Sequence, residues 1–292
     1  RSGSLQYAAV SYCRMLAQDS MIKIIPWASR KMSLKSLRKI WNLFPEGEIC
    51  MTELKKGYEK ERWQETIALY YINRGREFSI EIDPVGKETF AERLFYIGVK
   101  KFYFIWRGIE KEKIVYSYAP IIFAKSMLKK YKDAEITIVY EPKIDNYQEQ
   151  EKTKMDESLL QTEVSTLLNF CKDTPRLKCA YRRVHPCGSK KRKNLTEKLE
   201  GYINKSYGES EIVFEPFCGC TTITPNNRIY KCPYAPRRLT INRLGHSLRD
   251  PFVLGSLYTG IRRNIRCNYC KHVNSQNKHP IKRLQYQNIG GE

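Results

Sequence analysis

Segments typical of strands alternate with segments typical of helices through about 140 residues of this 292-residue chain. Nearly continuous apolar runs, such as residues 99–106, are typical of strands buried on both faces, and the amphipathic segments between the runs are typical of helices. The predicted strands cover residues 48–54, 78–82, 99–106, 135–140 and 177–184, and the predicted helices cover residues 32–43, 59–73, 87–96, 119–131 and 156–170. Such alternation predicts a parallel α/β architecture with right-handed crossovers, either open or barrel-like.

The residues at the carboxyl ends of these strands are the first candidates for a binding site, because ligands of parallel α/β sheets bind beyond those ends. They are Thr52, Glu53, Asp83, Trp106, Arg107, Glu141, Arg182 and Arg183. Each of them singly is more typical of an ordinary loop. A site therefore requires that the fold bring several of them together.

A group of cysteines near the C-terminal end carries the clearest chemical signal. It consists of Cys218, Cys220, Cys232, Cys267 and Cys270, the last two in a C-x-x-C motif. Two intervening residues let both sulfurs of such a motif turn onto one ion or cluster. Residues 221–224 and 228–230 predict two short strands around Pro225-Asn226-Asn227, and this turn sequence favours a tight hairpin that brings Cys220 and Cys232 together. The sequence therefore predicts a four-thiolate metal site.

The spacing of these cysteines leaves the metal open, because zinc and a [4Fe–4S] cluster both take four thiolates. One of Cys218 and Cys220 completes the set, and Cys187 is a further possible ligand from a loop. At a zinc site, His185 or His272 could replace a thiolate. Cys171 and Cys179, at a helix end and within a strand, are predicted to be small core residues.

Positive charge is concentrated in the part of the chain that holds the cysteines. The net charge is +21, and residues 171–292 contribute 24 Lys and Arg against 8 Asp and Glu, a balance of +16. A polyanion such as RNA or DNA is the partner that this charge favours, since neutralising phosphates releases counterions. The candidate phosphate contacts are Arg182, Arg183, Lys190, Lys191, Arg192, Lys193, Arg237, Arg238, Arg262, Arg263 and Arg266.

Targeting signals are not recognised in the sequence. No apolar run approaches the roughly 20 residues that span a bilayer, and the N-terminal residues lack a charged start followed by an apolar core. A thiol motif without a secretion signal is typical of a reducing compartment. We therefore expect a cytoplasmic protein.

The C-terminal pattern resembles the SPASM or twitch extension of radical SAM enzymes, in which a cysteine, a small hairpin, a second cysteine and a distal C-x-x-C hold an auxiliary iron–sulfur cluster. Residues 223–233, I-T-P-N-N-R-I-Y-K-C-P, resemble that hairpin, and the preceding strands and helices resemble the family's partial (β/α)6 barrel. The resemblance implies a barrel domain at 20–186, a basic linker and helix at 187–210, a cysteine-rich domain at 211–273 and a basic tail at 274–292. The cofactor that it implies is a [4Fe–4S] cluster.

The C-x-x-x-C-x-x-C motif that binds the SAM cluster in this family is missing from the sequence. Cys13 is alone near the expected place, and Glu53 is all that matches the motif that grips the methionine amine. The first hypothesis is therefore a degenerate, non-catalytic relative that keeps its metal and engages nucleic acid or a nucleoprotein. The alternatives are an active radical SAM enzyme modifying a peptide or RNA, with its cluster motif outside this sequence, and a zinc-dependent nucleic-acid-binding protein.

Overall fold

The computed structural model describes residues 48–52, 58–109, 114–141 and 157–182, the short strands at 22–24, 213–214, 221–223, 228–230 and 242–243, and the single residues Arg38 and Gly201. The chain divides into two compact units. The larger is Glu48–Phe217, and the smaller combines Arg1–Gly47 with Cys218–Glu292.

The strands are β1 (Ile22–Ile24), β2 (Ile49–Thr52), β3 (Phe78–Ile82), β4 (Lys101–Trp106), β5 (Glu135–Tyr140), β6 (Leu177–Tyr181), β7 (Val213–Phe214), β8 (Thr221–Ile223), β9 (Arg228–Tyr230) and β10 (Asn242–Arg243). The helices are α1 (Tyr58–Ile72), α2 (Glu88–Tyr96), α3 (Ile114–Ser117), α4 (Ala119–Lys130) and α5 (Glu157–Lys172). In the larger unit, β2 to β7 pair in chain order, and every one of these pairs is parallel. The predicted parallel α/β fold is confirmed.

One face of this sheet is apolar and packs against the helices, because alternate residues of a strand point to opposite sides. Phe104 of β4 stacks on Phe123 of α4 with ring centroids 5.6 Å apart, and Phe78 of β3 stacks on Tyr71 of α1 at 6.2 Å. The same face carries the buried side chains Ile80, Ile82, Phe102, Ile136, Ile138, Cys179 and Tyr181. Each large apolar side chain buried in this way contributes about 1.5–3 kcal/mol to folding.

The structure agrees with most of the predicted segments. It differs at the end of β6 and at the short helix α3. The segments at 78–82 and 135–140 coincide with β3 and β5, whereas β6 ends at Tyr181 instead of residue 184. The sequence analysis missed α3, because four residues are too few to show a helical period. The Trp106 indole N–H donates to the Ser117 carbonyl oxygen at 2.8 Å and anchors this short helix. The predicted helix at 32–43 and the predicted linker and helix at 187–210 lie outside the described residues, apart from Arg38 and Gly201.

The connection from α5 to β6 is tight and uses an arginine in the left-handed backbone region. Arg176 has φ of 71°. Its guanidinium donates to the backbone carbonyl oxygens of Leu128, in the last turn of α4, at 2.5 Å and of Ala134, directly before β5, at 3.3 Å. The last carbonyls of a helix lack intrahelical partners, so the arginine supplies a donor to that of Leu128.

In the smaller unit, β1 pairs in parallel with β8, and β8, β9 and β10 form successive antiparallel pairs. Thr222 lies opposite Tyr230, and Ile223 lies opposite Ile229. The predicted hairpin around residues 225–227 is thereby confirmed. Among the described helices, none combines the length and apolar character needed to cross a membrane.

Candidate functional site

Polar and charged side chains line the second face of the parallel sheet where its strands end. The strand register puts residues from β2 to β6, and those directly after them, on one side. They are Thr52, Glu81, Asp83, Arg107, Glu141 and Arg182. Five of these six positions were singled out from the sequence as strand-end candidates: Asp83, Arg107 and Glu141 directly follow predicted strands, and Thr52 and Arg182 lie two residues before the ends of predicted strands. Glu81, which lies within β3, was not among them.

Arg182 joins two carboxylates across this face. Its Nη2 lies 2.7 Å from Glu81 Oε1, and its Nη1 lies 3.1 Å from Glu141 Oε2. The Arg182 and Glu81 side chains are only 8% and 4% exposed, whereas that of Glu141 is 38% exposed. A buried guanidinium requires such partners, because an unpaired charge in the interior is very costly.

The ion pair between Glu81 and Arg182 requires the sheet to curve. Glu81 belongs to β3, and Arg182 follows β6, so two strands lie between them. In a flat sheet, three strand spacings amount to about 14 Å, and Arg182 also lies four residues beyond Lys178, the register partner of Glu81, which adds about 13 Å along the strand. Side chains that stand roughly perpendicular to a flat sheet cannot span that separation. Contact at 2.7 Å therefore shows that the polar face is concave.

A second ion pair lies nearer to solvent on the same face. Arg107 donates through Nη1 to Asp83 Oδ2, and the two side chains are 41% and 24% exposed. The other Asp83 oxygen accepts a hydrogen bond from the Val85 N–H at 3.3 Å. Asp83 thus closes the turn after β3 and also orients Arg107.

A buried glutamate on α5 holds the loop that follows Arg107. Glu163 is fully buried, and its Oε1 accepts a hydrogen bond from the Ile109 N–H at 2.6 Å. Its Oε2 accepts the Tyr140 hydroxyl hydrogen. Gly108 has φ of 86°, and a Cβ added there would lie 2.6 Å from Glu163 Oε2, so the loop fits this carboxylate only with glycine.

The sequence did contain a signal for Glu163. It occupies the i+3 position between Leu160 and Val164 on the sheet-facing stripe of α5, where an apolar residue is the rule. A charged residue at such a position predicts a buried hydrogen-bonded group.

Thr52 ends β2 beside Glu81, its cross-strand neighbour. Its hydroxyl oxygen is buried and has no hydrogen-bond partner in the described structure. At the other end of the concave face, Glu48 accepts hydrogen bonds from Ser79 and Lys101. Polar pairs thus occupy both ends of this face, with Ile105, Val139 and Ala180 buried between them.

Within the described ranges, no group of three or more His, Cys, Asp or Glu side chains is arranged to hold a metal ion. All the predicted metal ligands lie outside these ranges: Cys187, Cys218, Cys220, Cys232, Cys267 and Cys270. The hairpin strands β8 and β9 between Cys220 and Cys232 are described, and they agree with the prediction.

Arg182 is the one predicted phosphate contact among the described residues. The structure places it in the concave face, where both guanidinium ends are engaged by carboxylates. Glu53 and Arg183 lie outside the described residues, as do the other basic residues proposed to contact phosphate. From its strand-end position and its charge alone, an arginine that pairs with carboxylates inside the protein cannot be distinguished from one that is exposed to a nucleic-acid partner.

No family model matches the chain, and no curated protein matches it. Among solved structures, the chain is similar to a dihydropteroate synthase from Thermus thermophilus. The sequence identity is 10% and the TM-score 0.33, over 68% of this chain and 88% of that one. At this level, the similarity says nothing about activity.

The predicted resemblance to radical SAM proteins with a SPASM or twitch extension is wrong. No radical SAM family model matches the chain, and the similar solved structure is a synthase of another kind. The prediction rested on a hairpin between cysteines and on alternating strands and helices. Both features occur in unrelated α/β and metal-binding proteins, because each follows from general packing and ligation rules.

Proposed function

We propose that the chain is a metal-binding protein whose smaller unit holds a [4Fe–4S] cluster, or alternatively zinc, through thiolates. The observation that carries the proposal is the register of the hairpin, in which Thr222 is opposite Tyr230. The same register, if it continued by two positions, would pair residue 220 with residue 232. Directly opposed residues of an antiparallel pair have Cβ atoms about 4.5–5.5 Å apart, which suits two thiolates that share one metal centre.

The remaining ligands come from the C-x-x-C motif, Cys267 and Cys270. Cys220 is preferred over Cys218 because the hairpin register favours it. Thiolate ligation contributes folding free energy to a region whose described strands have only two or three residues each. The metal therefore has a structural role in this proposal.

A second proposed function is binding of RNA, DNA or a nucleoprotein by the basic C-terminal half. Its support is the charge of +16 over residues 171–292. The proposed contacts are Arg183, Lys190, Lys191, Arg192, Lys193, Arg237, Arg238, Arg262, Arg263 and Arg266. Arg182 is omitted because Glu81 and Glu141 already neutralise it.

For the larger unit, we propose a partial (β/α)6 barrel. Parallel strands in chain order and the ion pair across the concave face support it, since barrel closure requires this curvature. The use of thiolates as ligands also favours a reducing compartment such as the cytoplasm.

Anaerobic purification followed by metal, sulfide and absorption analysis tests the metal proposal. We expect about one four-thiolate centre per chain, with visible sulfur-to-iron absorption and acid-labile sulfide for a cluster, or colourless stoichiometric zinc. Cys232→Ser and Cys267→Ser should lose the metal, whereas the matched variant Cys13→Ser should keep it. A chain that folds without bound metal, or variants with unchanged metal content, would overturn the proposal.

Nucleic-acid binding is tested by measuring affinity for a single-stranded RNA over a salt series. Each phosphate contact contributes about −0.7 to the slope of log K against log salt. Replacing Lys190, Lys191, Arg192 and Lys193 by Gln should make this slope less negative. A matched replacement of Lys129 and Lys132, which are exposed in the larger unit, should not. An affinity that does not change with salt would argue against phosphate contacts.

A further inference from the structure

Two cysteines of the larger unit face each other between α5 and β6. Cys171 lies on the stripe of α5 that includes the buried residues Leu160, Val164 and Leu167. Cys179 lies on the helix-facing side of β6, in register with Ile138 and Phe104. A connection of four residues, 173–176, folds the strand back onto the helix.

The connection explains why these two residues meet. Cys171 and Cys179 are each four positions from residue 175, in the middle of the turn. The turn is fixed by backbone hydrogen bonds from Thr174 N–H to Cys171 O at 3.3 Å and from Leu177 N–H to Thr174 O at 3.1 Å. Cys179 is near enough to raise the pKa of Cys171, and neither cysteine is in a disulfide.

The environments of the two thiols differ. Cys179 is buried, with 4% of its surface exposed, whereas Cys171 in the last turn of the helix is partly exposed. A reagent in solution can therefore reach Cys171 first. Cys50, the remaining described cysteine, is fully buried in β2.

We propose that Cys171 and Cys179 are an oxidation site, a dithiol that closes to an intramolecular disulfide in the presence of a disulfide oxidant such as oxidised glutathione. In this reaction, Cys171 is the attacking thiol, and Cys179 is the resolving thiol. The product joins the end of α5 to the strand that leads directly to Arg182.

The reaction consists of two thiol–disulfide exchanges. The Cys171 thiolate, after losing its proton to solvent, attacks one sulfur of oxidised glutathione and releases one glutathione thiolate. The Cys179 thiol loses its proton and attacks Cys171 Sγ in the mixed disulfide, which releases the second glutathione thiolate. Two electrons pass from the protein to the oxidant, and the released thiolates take up the two protons.

The second step is favoured because the short turn holds the resolving thiol on the strand that faces the attacked sulfur. The first step is slow, since only the thiolate attacks. The hydrogen bond with Cys179 and burial raise the pKa of Cys171, and Lys125 on α4 opposes this shift. Closure should therefore become faster as the pH rises.

Peptide mapping of the native full-length chain tests the proposal. The chain is incubated anaerobically with oxidised glutathione, free thiols are alkylated, and the protein is digested with trypsin. Cleavage after Lys154, Lys172, Lys178 and Arg182 should yield peptides 155–172 and 179–182 linked to each other. The linked product has lost two hydrogen atoms relative to the separate peptides, and dithiothreitol separates them.

Two variants distinguish a resolving pair from two independent thiols. Cys179→Ala should accumulate a stable glutathione adduct on Cys171, whereas Cys171→Ala should leave Cys179 unmodified in the folded chain. The matched control Cys50→Ala should close like the wild type. If the native chain yields no linked peptide, or if Cys179→Ala carries no more adduct than the wild type, the proposal fails.

If a variant fails to fold, the proposal is still tested, because the presence or absence of the linked peptide in the native wild type does not depend on the variants. Native wild type that links these peptides only after denaturation also overturns the proposal. Since the peptides are identified individually, thiols in the smaller unit do not contribute to the signal.

Discussion

Arg107 and Arg182 each directly follow a strand of the same parallel sheet, and both face its concave side, yet their environments differ. Arg107 is 41% exposed and pairs with Asp83, the residue that follows the neighbouring strand. Arg182 is 8% exposed and reaches Glu81 three strands away. The difference shows that the curvature of the sheet, more than position at a strand end, decides which charge becomes internal.

The largest predicted effect concerns Arg182→Met. Removal of this guanidinium leaves Glu81 buried without its cation, and breaking one partner of a buried pair costs about 3–5 kcal/mol. The free energy of unfolding, measured by urea denaturation, should fall by that amount. Arg107→Met is the matched control and should cost only about 0–1 kcal/mol, because its pair is partly exposed.

The double variant Arg182→Met with Glu81→Gln sharpens this comparison. Since the glutamine carries no charge, it should recover part of the lost stability. Equal losses for Arg182→Met and Arg107→Met would mean that burial does not separate the two arginines. That outcome would also remove the support that the ion pair gives to a curved sheet.

Much of this arrangement was accessible from the sequence, and the inaccessible part has a physical cause. Thr52, Asp83, Arg107, Glu141 and Arg182 could be singled out because strand ends are visible as the end of an apolar run. The pairing of Arg182 with Glu81 could not, since it joins strands whose distance depends on curvature. Local pattern contains no information on that distance.

In the cysteine-rich hairpin, the local structure was predicted correctly from the sequence, whereas the family assignment was wrong. Its two strands were predicted within one residue, because the sequence Pro225-Asn226-Asn227 favours a tight hairpin. Its family assignment was wrong, because spacing of cysteines reflects ligation geometry shared by unrelated proteins. Glu163 and α3 were missed for a simpler reason, since one polar residue and four helical residues hardly alter a periodic pattern.

The second prediction tests how the loop after Arg107 is held. Gly108→Ala forces a Cβ to 2.6 Å from Glu163 Oε2 and also requires alanine at φ of 86°. Gly75→Ala is the matched control, because its φ is 71° and its added Cβ would meet nothing within 4 Å. The control should cost about 1–2 kcal/mol for the left-handed backbone alone.

Gly108→Ala should cost more than this control by about 1–3 kcal/mol, the range for overpacking in a buried site. Thermal unfolding of the two variants measures the difference. If both lose the same stability, the Glu163 carboxylate moves aside freely and does not position the loop that carries Arg107.

The smallest predicted effect lies at the opposite end of the concave face, at Lys101. Burial lowers the pKa of Lys101, but the hydrogen bond and charge of Glu48 outweigh it, with a further contribution from Glu77, so the pKa is raised overall. A raised lysine pKa means that the folded state binds the proton more tightly than the unfolded state does. The stabilisation is therefore fully present below the unfolded-state pKa of about 10.4 and is lost as the pH rises through the folded-state value.

Lys101→Met removes this contribution, so the wild type should lose stability more steeply than the variant as the pH rises above about 10. The expected difference is about 1 kcal/mol, because the lysine side chain is 28% exposed and the pair is partly screened. The two proteins contain the same tyrosines, so any contribution from these side chains cancels when the two urea-unfolding curves are subtracted at each pH. A difference that stays constant with pH would show that Lys101 acts through packing of its aliphatic chain, and the two ends of the concave face would then differ in kind, with charge essential only at Arg182.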